Sequence, residues 1–361
     1  MKNVRVMVVD DSALMRQVLK RIIEAAPGME FAGYARDGED AIVKARDLRP
    51  DVITMDINMP RMDGLTALQT IIAEEICPVV MVSSLTERGA VATFEALELG
   101  AFDVVAKPGG TVSANLNAIA ADLISKLSAA AGVGTLARIR GHGSRRASGA
   151  AATIRASHAA SGGDFKAVAI GISTGGPSTL MEVLPTIPGD INGTVFLTQH
   201  MPPVFTSSFA KRLGAACQLR VFEAEPGMPV QPGCCYVARG GCHLVVARKT
   251  DGQVVLRTPS YPQTLFVPSA DVMMESLLKL YGANTVGVLM TGIGDDGANA
   301  MVNIRRAGGA TIAESEETAV VFGMPREAIV RGGAEVVAPA WRVTAEIMAA
   351  LGQSRAGRTA A

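Results

Sequence analysis

The chain has 361 residues, 48% apolar but only 4% aromatic, and its 34 basic and 34 acidic side chains cancel to a formal net charge of zero. That length favours two domains, the aliphatic and Gly-rich profile favours α/β layers, and the neutral balance offers no global field for nucleic acid, so no nucleic-acid partner is expected. Five irregularly spaced cysteines (Cys77, Cys217, Cys234, Cys235, Cys242) do not form a secreted disulfide framework, and the first apolar run is too short for a signal peptide or membrane span. A cytoplasmic protein that is not membrane-inserted is expected.

From the N-terminus, "VRVMVVD", "EFAGYA", "DVITMD", "PVVMVSS" and "FDVVAK" are short β-rich runs, separated by segments of helical periodicity such as "SALMRQVLKRIIEAA". Five βα alternations predict a five-stranded parallel sheet covered by helices on both faces. The ligand site of such a sheet lies at the carboxyl ends of its strands. The predicted ends present Asp10 and Asp11, then Asp56, then Ser83, then Lys107. Three carboxylates meeting on one rim repel unless a cation joins them, and their hard oxygens suit Mg²⁺. A carboxylate beside Mg²⁺ can accept a phosphoryl group, with lysine and hydroxyl holding its oxygens.

"VVDDSALMR", "MDINMPRMDGL", "VSS" and "AKP" resemble the signatures of a response-regulator receiver domain, whose fold is flavodoxin-like. The resemblance implies phosphorylation of Asp56 by a histidine kinase. It also implies Mg²⁺ on Asp11, Asp56 and the backbone carbonyl of Asn58 with Asp10 close by, and Ser83 and Lys107 as switch hydroxyl and phosphate-pairing lysine.

Residues 1–122 are assigned to this domain. Residues 123–163 contain no Asp or Glu and are rich in Ala, Gly, Ser and Arg, which predicts a flexible linker whose first residues finish a helix. A second domain is expected over 164–352, with a disordered tail at 353–361. Its predicted strands are "KAVAIGIS", "GTVFLTQH", "TVGVLMTG" and "ATIAE", and an antiparallel hairpin insertion is signalled by Asp251-Gly252 within "CCYVARGGCHLVVARKTDGQVVLRT". The expected fold is a doubly wound, mostly parallel α/β domain.

"AIGISTGGP" fits a nucleophile elbow and also mimics a dinucleotide loop. The nucleotide reading fails on electrostatics. Thr198-Gln199-His200 stands where a ribose-binding acid is wanted, and the second glycine loop, "GIGDDG", puts Asp295 and Asp296 where a pyrophosphate would approach. A nicotinamide-dependent dehydrogenase is disfavoured accordingly. As a hydrolase the same loops agree: Ser173, His200 and Asp296 each follow a predicted strand, so one sheet edge can gather a nucleophile, a base and an orienting carboxylate. Backbone N–H groups of Thr174 and Gly175 are candidates for the oxyanion hole. His142 and His158 fall in the linker, so His243 is the fallback base, and Asp295 is the weaker rival to Asp296. Cys234, Cys235, Cys242 and His243 fit no zinc spacing, and the cysteines read as buried thiols.

"AIGISTGGP", "TQHMPPVFTSSFAKRL", "LMTGIGDDGA" and "VVFGMPREAI" resemble the catalytic domain of the chemotaxis response-regulator protein-glutamate methylesterase family. The resemblance implies hydrolysis of glutamate methyl esters, and deamidation of selected glutamines, on chemoreceptor cytoplasmic helices. Its serine, histidine and aspartate map to Ser173, His200 and Asp296, and no cofactor is expected for the hydrolytic step. Ile293 stands where the family usually has Met. Phe266-Val267 replaces a usual His-Arg pair, which keeps open a second reading, a phosphorylation-regulated receptor-docking module with a weakened active site.

Overall fold

The computed structural model describes residues 3–83, 87–107, 113–140 and 165–352. They belong to two compact units, Met1–Ala152 and Thr153–Ala361.

In the first unit, strands β1 (Val4–Val9), β2 (Met29–Ala35), β3 (Val52–Asp56), β4 (Val79–Ser83) and β5 (Asp103–Ala106) alternate with helices α1 (Ala13–Ala25), α2 (Gly38–Leu48), α3 (Gly64–Ala73), α4 (Glu87–Glu98) and α5 (Ser113–Arg140). All neighbouring strands pair in parallel, in the order β2-β1-β3-β4-β5. Because the order reverses between β1 and β3, a crevice opens at their carboxyl ends. Asp10 follows β1 and Asp56 closes β3, so the acidic rim expected from sequence lies at that crevice. Side chains of Ser12, Asp37 and Asp63 cap α1, α2 and α3 by accepting an N–H of the first turn.

Helix α5 corrects the boundary expected at residue 122. Leu123, Leu127, Ala130 and Ala131 are buried in the same core as Val6, Val52 and Val105. Their spacing of four, three and one places them on one helical face. Lys126, also buried, donates to the Val104 carbonyl at 2.7 Å and stands 3.3 Å from Asp103. Residues 123–140 therefore continue a helix, whereas 141–163 and the 353–361 tail lie outside the described residues.

The second unit contains β6 (Lys166–Ile172), β7 (Gly193–Gln199), β8 (Arg220–Glu223), β9 (Cys234–Val237), β10 (Val245–Arg248), β11 (Val254–Arg257), β12 (Thr285–Leu289), β13 (Ala310–Glu314) and β14 (Val336–Ala338). Its helices are α6 (Gly176–Val183), α7 (Pro203–Ala216), α8 (Ala270–Tyr281), α9 (Ala298–Arg306), α10 (Met324–Val330) and α11 (Ala340–Ala350). Seven strands form one parallel sheet in the order β14-β13-β12-β6-β7-β9-β8. The strand runs are near-continuously apolar because helices cover both faces.

Strands β10 and β11 make a separate antiparallel hairpin. Its turn is the one signalled by Asp251-Gly252: Gly252 takes a φ of 87°, and Asp251 Oδ1 accepts the Gln253 N–H at 2.9 Å. The segment "CCYV" differs from its sequence reading. As β9 it pairs with β7 inside the parallel sheet rather than belonging to the hairpin.

Candidate active site

The order in which strands are added to the second sheet reverses at β6, which has β7 on one side and β12 on the other. This is the position where an open α/β sheet leaves a crevice. Strand register carries the detail. Gly171 pairs with Thr198 and Ile172 with Gln199, so Ser173 and His200 occupy the next rung, just beyond the ends of β6 and β7. The His200 N–H still donates to the Ile172 carbonyl at 3.2 Å, which keeps the two strand ends together.

Buried bonds fix the serine backbone. Ser173 N–H donates to the Thr291 carbonyl at 2.9 Å, and Thr291 Oγ1 donates to the Thr174 carbonyl at 2.8 Å. Thr291 N–H in turn donates to Glu314 Oε2 at 2.8 Å, at the end of β13. From the other side, Gln199 Nε2 donates to the carbonyls of both Ser173 (2.9 Å) and His200 (3.1 Å). Gly292 is demanded by close approach, because a Cβ there would come 2.7 Å from Ser173 Cβ. Gly175, the residue before α6, takes a φ of 76° that favours glycine. Among the described residues the N–H groups of Thr174 and Gly175 have no backbone acceptor, so the turn leading into α6 keeps two donors beside Ser173.

Asp296 is held by four donors. His200 Nε2 lies 2.7 Å from Oδ2, and Ala270 N–H donates to that oxygen at 2.7 Å. Ser269 Oγ and the Asp271 N–H donate to Oδ1 at 2.7 and 3.1 Å. Burial works against this charge, but His200 and the bonds from Ser269 and Ala270 hold the carboxyl below its usual range. An ionised carboxylate only accepts, so Nε2 carries the hydrogen and Nδ1 carries the lone pair. Nδ1 is buried and has no hydrogen-bond partner among the described residues. The imidazole is thus oriented by one nitrogen and basic at the other.

The rival residues have other employment. Asp295 is exposed and pairs with Arg331 at 2.5 Å. His243 is fully buried, accepts the Ser269 N–H at Nδ1 (3.2 Å) and donates from Nε2 to the Pro262 carbonyl (2.8 Å). With both nitrogens engaged it offers no free base. All five cysteines are free thiols, and burial pushes Cys217 up to about 11 and Cys235 further in the same direction.

In the first unit, carboxylate oxygens of Asp10, Asp11 and Asp56 lie within 4.8 Å of one another. Lys107 Nζ stands 2.9 Å from Asp10 Oδ2 and 2.8 Å from Asp56 Oδ2. The Lys107 N–H donates to the carbonyl of Ser83, a buried residue at the end of β4, at 2.7 Å. Burial, with the Asp10 charge, pushes the Asp56 carboxyl above its ordinary range against the bonds from Lys107. One ammonium does not balance three carboxylates. This all-oxygen donor set with excess negative charge fits a divalent cation such as Mg²⁺.

Two family patterns match, "Response regulator receiver domain" over residues 6–119 and "CheB methylesterase" over residues 168–347. A protein of Syntrophomonas wolfei named protein-glutamate methylesterase/protein-glutamine glutaminase 3 is 55% identical over 350 residues, covering 96% of this chain and 99% of its own length. The chain belongs to the protein-glutamate methylesterase/protein-glutamine glutaminase family. A second methylesterase/glutaminase relative, from Caldanaerobacter subterraneus, is 50% identical over 95% of each chain. Among solved structures, the Thermotoga maritima CheB methylesterase catalytic domain aligns at a TM-score of 0.50 and 36% identity, covering 52% of this chain and 98% of that one. No helix among the described residues is long and apolar enough to cross a membrane.

Within this methylesterase family member, sequence reasoning named Ser173, His200 and Asp296 but missed the residues that hold them. Gln199 was visible only as the neighbour of His200. Ser269 had a helix-capping signal, and it does cap α8 by accepting the Val272 N–H at 3.3 Å, but its second bond, to Asp296, needs the fold. Glu314 ended a predicted strand with nothing to mark it as buried. Of the departures from the family pattern, Ile293 is half-buried in the loop before Asp296. Phe266 stacks on the His200 ring, with centroids 4.2 Å apart and planes 8° from parallel.

Proposed function

We propose that this chain is a phosphorylation-activated serine hydrolase that demethylates glutamate methyl esters, and deamidates specific glutamines, on the cytoplasmic helices of chemoreceptors. The observation that carries this reading is the pairing of a charged Asp296 with Nε2 of His200, which leaves Nδ1 as a buried acceptor on the residue opposite Ser173. Neighbouring strands of a sheet run about 4.8 Å apart, so the serine and the histidine spring from adjacent backbone positions.

Ser173 Oγ gives its proton to Nδ1 and attacks the side-chain carbonyl of the substrate. The N–H groups of Thr174 and Gly175 receive the oxyanion. His200, now doubly protonated and stabilised by Asp296, passes the proton to the leaving methoxide or amide nitrogen, releasing methanol or ammonia. Water, deprotonated by Nδ1, then cleaves the acyl-enzyme to give glutamate and regenerate Ser173. All seven strands of this sheet lie outside the β10–β11 hairpin, and every residue in the steps above lies in the loop that follows β6, β7 or β12.

For regulation, Asp56 is the phosphoacceptor, supplied by a histidine kinase. A magnesium ion held by Asp11, Asp56 and the Asn58 carbonyl would neutralise charge at the acyl phosphate. Asp10 supports that site, Lys107 pairs with a phosphoryl oxygen and the Ser83 hydroxyl takes another. Phosphorylation shifts the population toward a form in which the catalytic edge is open to substrate.

The test is mass spectrometry of a methylated receptor fragment incubated with the phosphorylated protein. Loss of methyl groups by the native chain, and none above background with Ser173→Ala, is the expected result. Near-native demethylation by Ser173→Ala would end the proposal. Tight receptor binding without any turnover by the native chain would favour the docking module.

A further inference from the structure

The His200 ring is fixed by a single in-plane bond. Nε2 is tied to Asp296, but Nδ1 has no partner among the described residues. A ring hinged at one edge can rock about the Nε2···Oδ2 line, and rocking changes where Nδ1 points. What faces the ring is Phe266, 4.2 Å away and 8° from parallel. Rocking would drive the imidazole edge into the phenyl face, so the stack removes the one rotation that the hydrogen bond leaves free.

Phe266 is itself held in place. It lies on the segment between β11 and α8, which His243 pins at three points. His243 N–H donates to the Pro259 carbonyl at 2.7 Å, Nε2 donates to the Pro262 carbonyl at 2.8 Å, and Nδ1 accepts the Ser269 N–H at 3.2 Å. Around Phe266, Gly241 N–H donates to the Val267 carbonyl at 3.0 Å and Thr264 Oγ1 donates to the Phe266 carbonyl at 2.6 Å. On its other side the ring reaches the Asp296 loop, where Phe266 Cε2 lies 3.9 Å from the position of a Cβ on Gly294. One short segment therefore holds both members of the pair, through Phe266 on the face of His200 and through Ser269 to Asp271 on the carboxylate.

We infer that Phe266 is a positioning residue for the general base, keeping Nδ1 of His200 aimed at Ser173 through ring stacking rather than through a polar contact. This rests on the assignment of His200 as the base. A phenyl face suits the task because it adds no donor or acceptor to compete for Nδ1. It also covers a ring that must become cationic during turnover, and an aromatic face favours that charge.

The full-length chain tests this with two variants and two substrates, the methylated receptor fragment and p-nitrophenyl acetate, which is too small to bridge to a docking surface. Phe266→Leu keeps an apolar side chain without a flat face, and Phe266→Tyr keeps the face. Phe266→Leu is expected to lower kcat about three- to ten-fold on both esters, the range a stacked aromatic pair supports, with little change in KM for the fragment. The rate of Ser173 labelling by a fluorophosphonate should fall in parallel, and Phe266→Tyr should restore all three readouts to within about twofold of the native values. Unchanged kcat in Phe266→Leu would overturn the inference. So would a loss confined to KM for the receptor fragment, which marks a docking contact, or an equal loss in both variants, which marks packing alone. Ser173→Ala run beside them separates the two levels: esterase activity in that variant would remove the catalytic assignment itself, independently of Phe266.

Discussion

Asp296 Oδ2 takes Nε2 of His200 at 2.7 Å and shares itself with the Ala270 N–H, so the start of α8 and the histidine compete for one charged oxygen. A helix N-terminus favours negative charge, which strengthens the carboxylate that the imidazole leans on. Replacing it tests the arrangement directly. Asp296→Asn presents an amide to a site built from donors, and it no longer dictates which His200 nitrogen holds the hydrogen. A fall in kcat on the order of a thousand- to ten-thousand-fold is expected, comparable to loss of the orienting carboxylate in other triads. The check is turnover of a methylated receptor fragment, with circular dichroism to show that the fold persists.

Asp296 and Glu314 titrate in opposite directions within one domain. Burial, offset only in part by the bonds from Thr291 N–H and Thr318 Oγ1, pushes the Glu314 carboxyl above its ordinary range. Its charge therefore disfavours folding, a penalty absent well below the unfolded value of about 4.3, growing as pH rises from there and levelling off above the higher folded value. Glu314→Gln keeps an acceptor for Thr291 N–H and removes the charge. It is expected to raise the melting temperature of the catalytic domain at pH 8 by about 2–4 °C, the shift that accompanies about 1 kcal/mol, and to make no difference near pH 4. Trp341, the one tryptophan of the chain, lies in α11 and reports this domain alone by fluorescence. For Asp296 the sign reverses: the stability it contributes is present above the unfolded value of about 3.9 and is lost as pH falls toward the lower folded value.

Three carboxylates around Lys107 predict a cation-dependent first unit. A Mg²⁺ concentration about a hundredfold above its dissociation constant should stabilise that unit by about 2.7 kcal/mol. Hydrogen exchange of the β1 and β3 amides in the full chain is the measurement. Protection should rise with Mg²⁺, and Asp11→Asn should abolish most of the rise.

The buried stripe of α5 makes the length of the first unit testable. A fragment ending at residue 122 lacks Leu123 and Leu127, and burying each leucine contributes about 1.5–3 kcal/mol. It also lacks Lys126, leaving Asp103 buried without its cation. The fragment 1–122 is expected to be unfolded or to melt far below the fragment 1–140 in thermal denaturation.

Much of this molecule could be read before folding was considered. Strand-length apolar runs alternating with helical periodicity gave the first parallel sheet and four of the seven strands of the second, and the carboxyl-end rule then placed Asp10, Asp56, Ser173 and His200 at the two rims. The misreadings have local causes. The acid-free composition after residue 122 resembles a tether, yet Leu123, Leu127, Ala130 and Ala131 already carry the helical stripe. "CCYV" is too short to reveal whether its partner is the next strand or β7, whose paired residues lie 40 positions back.

Residue periodicity is a local property, so the sequence by itself determined which segments become strands and helices and which functional groups stand at their ends. It could not determine contacts between side chains 20 to 100 positions apart, because those depend on strand order and register. Only the tertiary structure decided that Asp296 rather than Asp295 meets His200, that the bond falls on Nε2 and leaves Nδ1 without a hydrogen-bond partner among the described residues, and that His243 serves as an anchor. It also placed Phe266 against the imidazole and Glu314 beneath the serine loop. The reason is geometric: where β6 meets β12 the sheet reverses its winding, and that reversal gathers loops that the chain keeps apart.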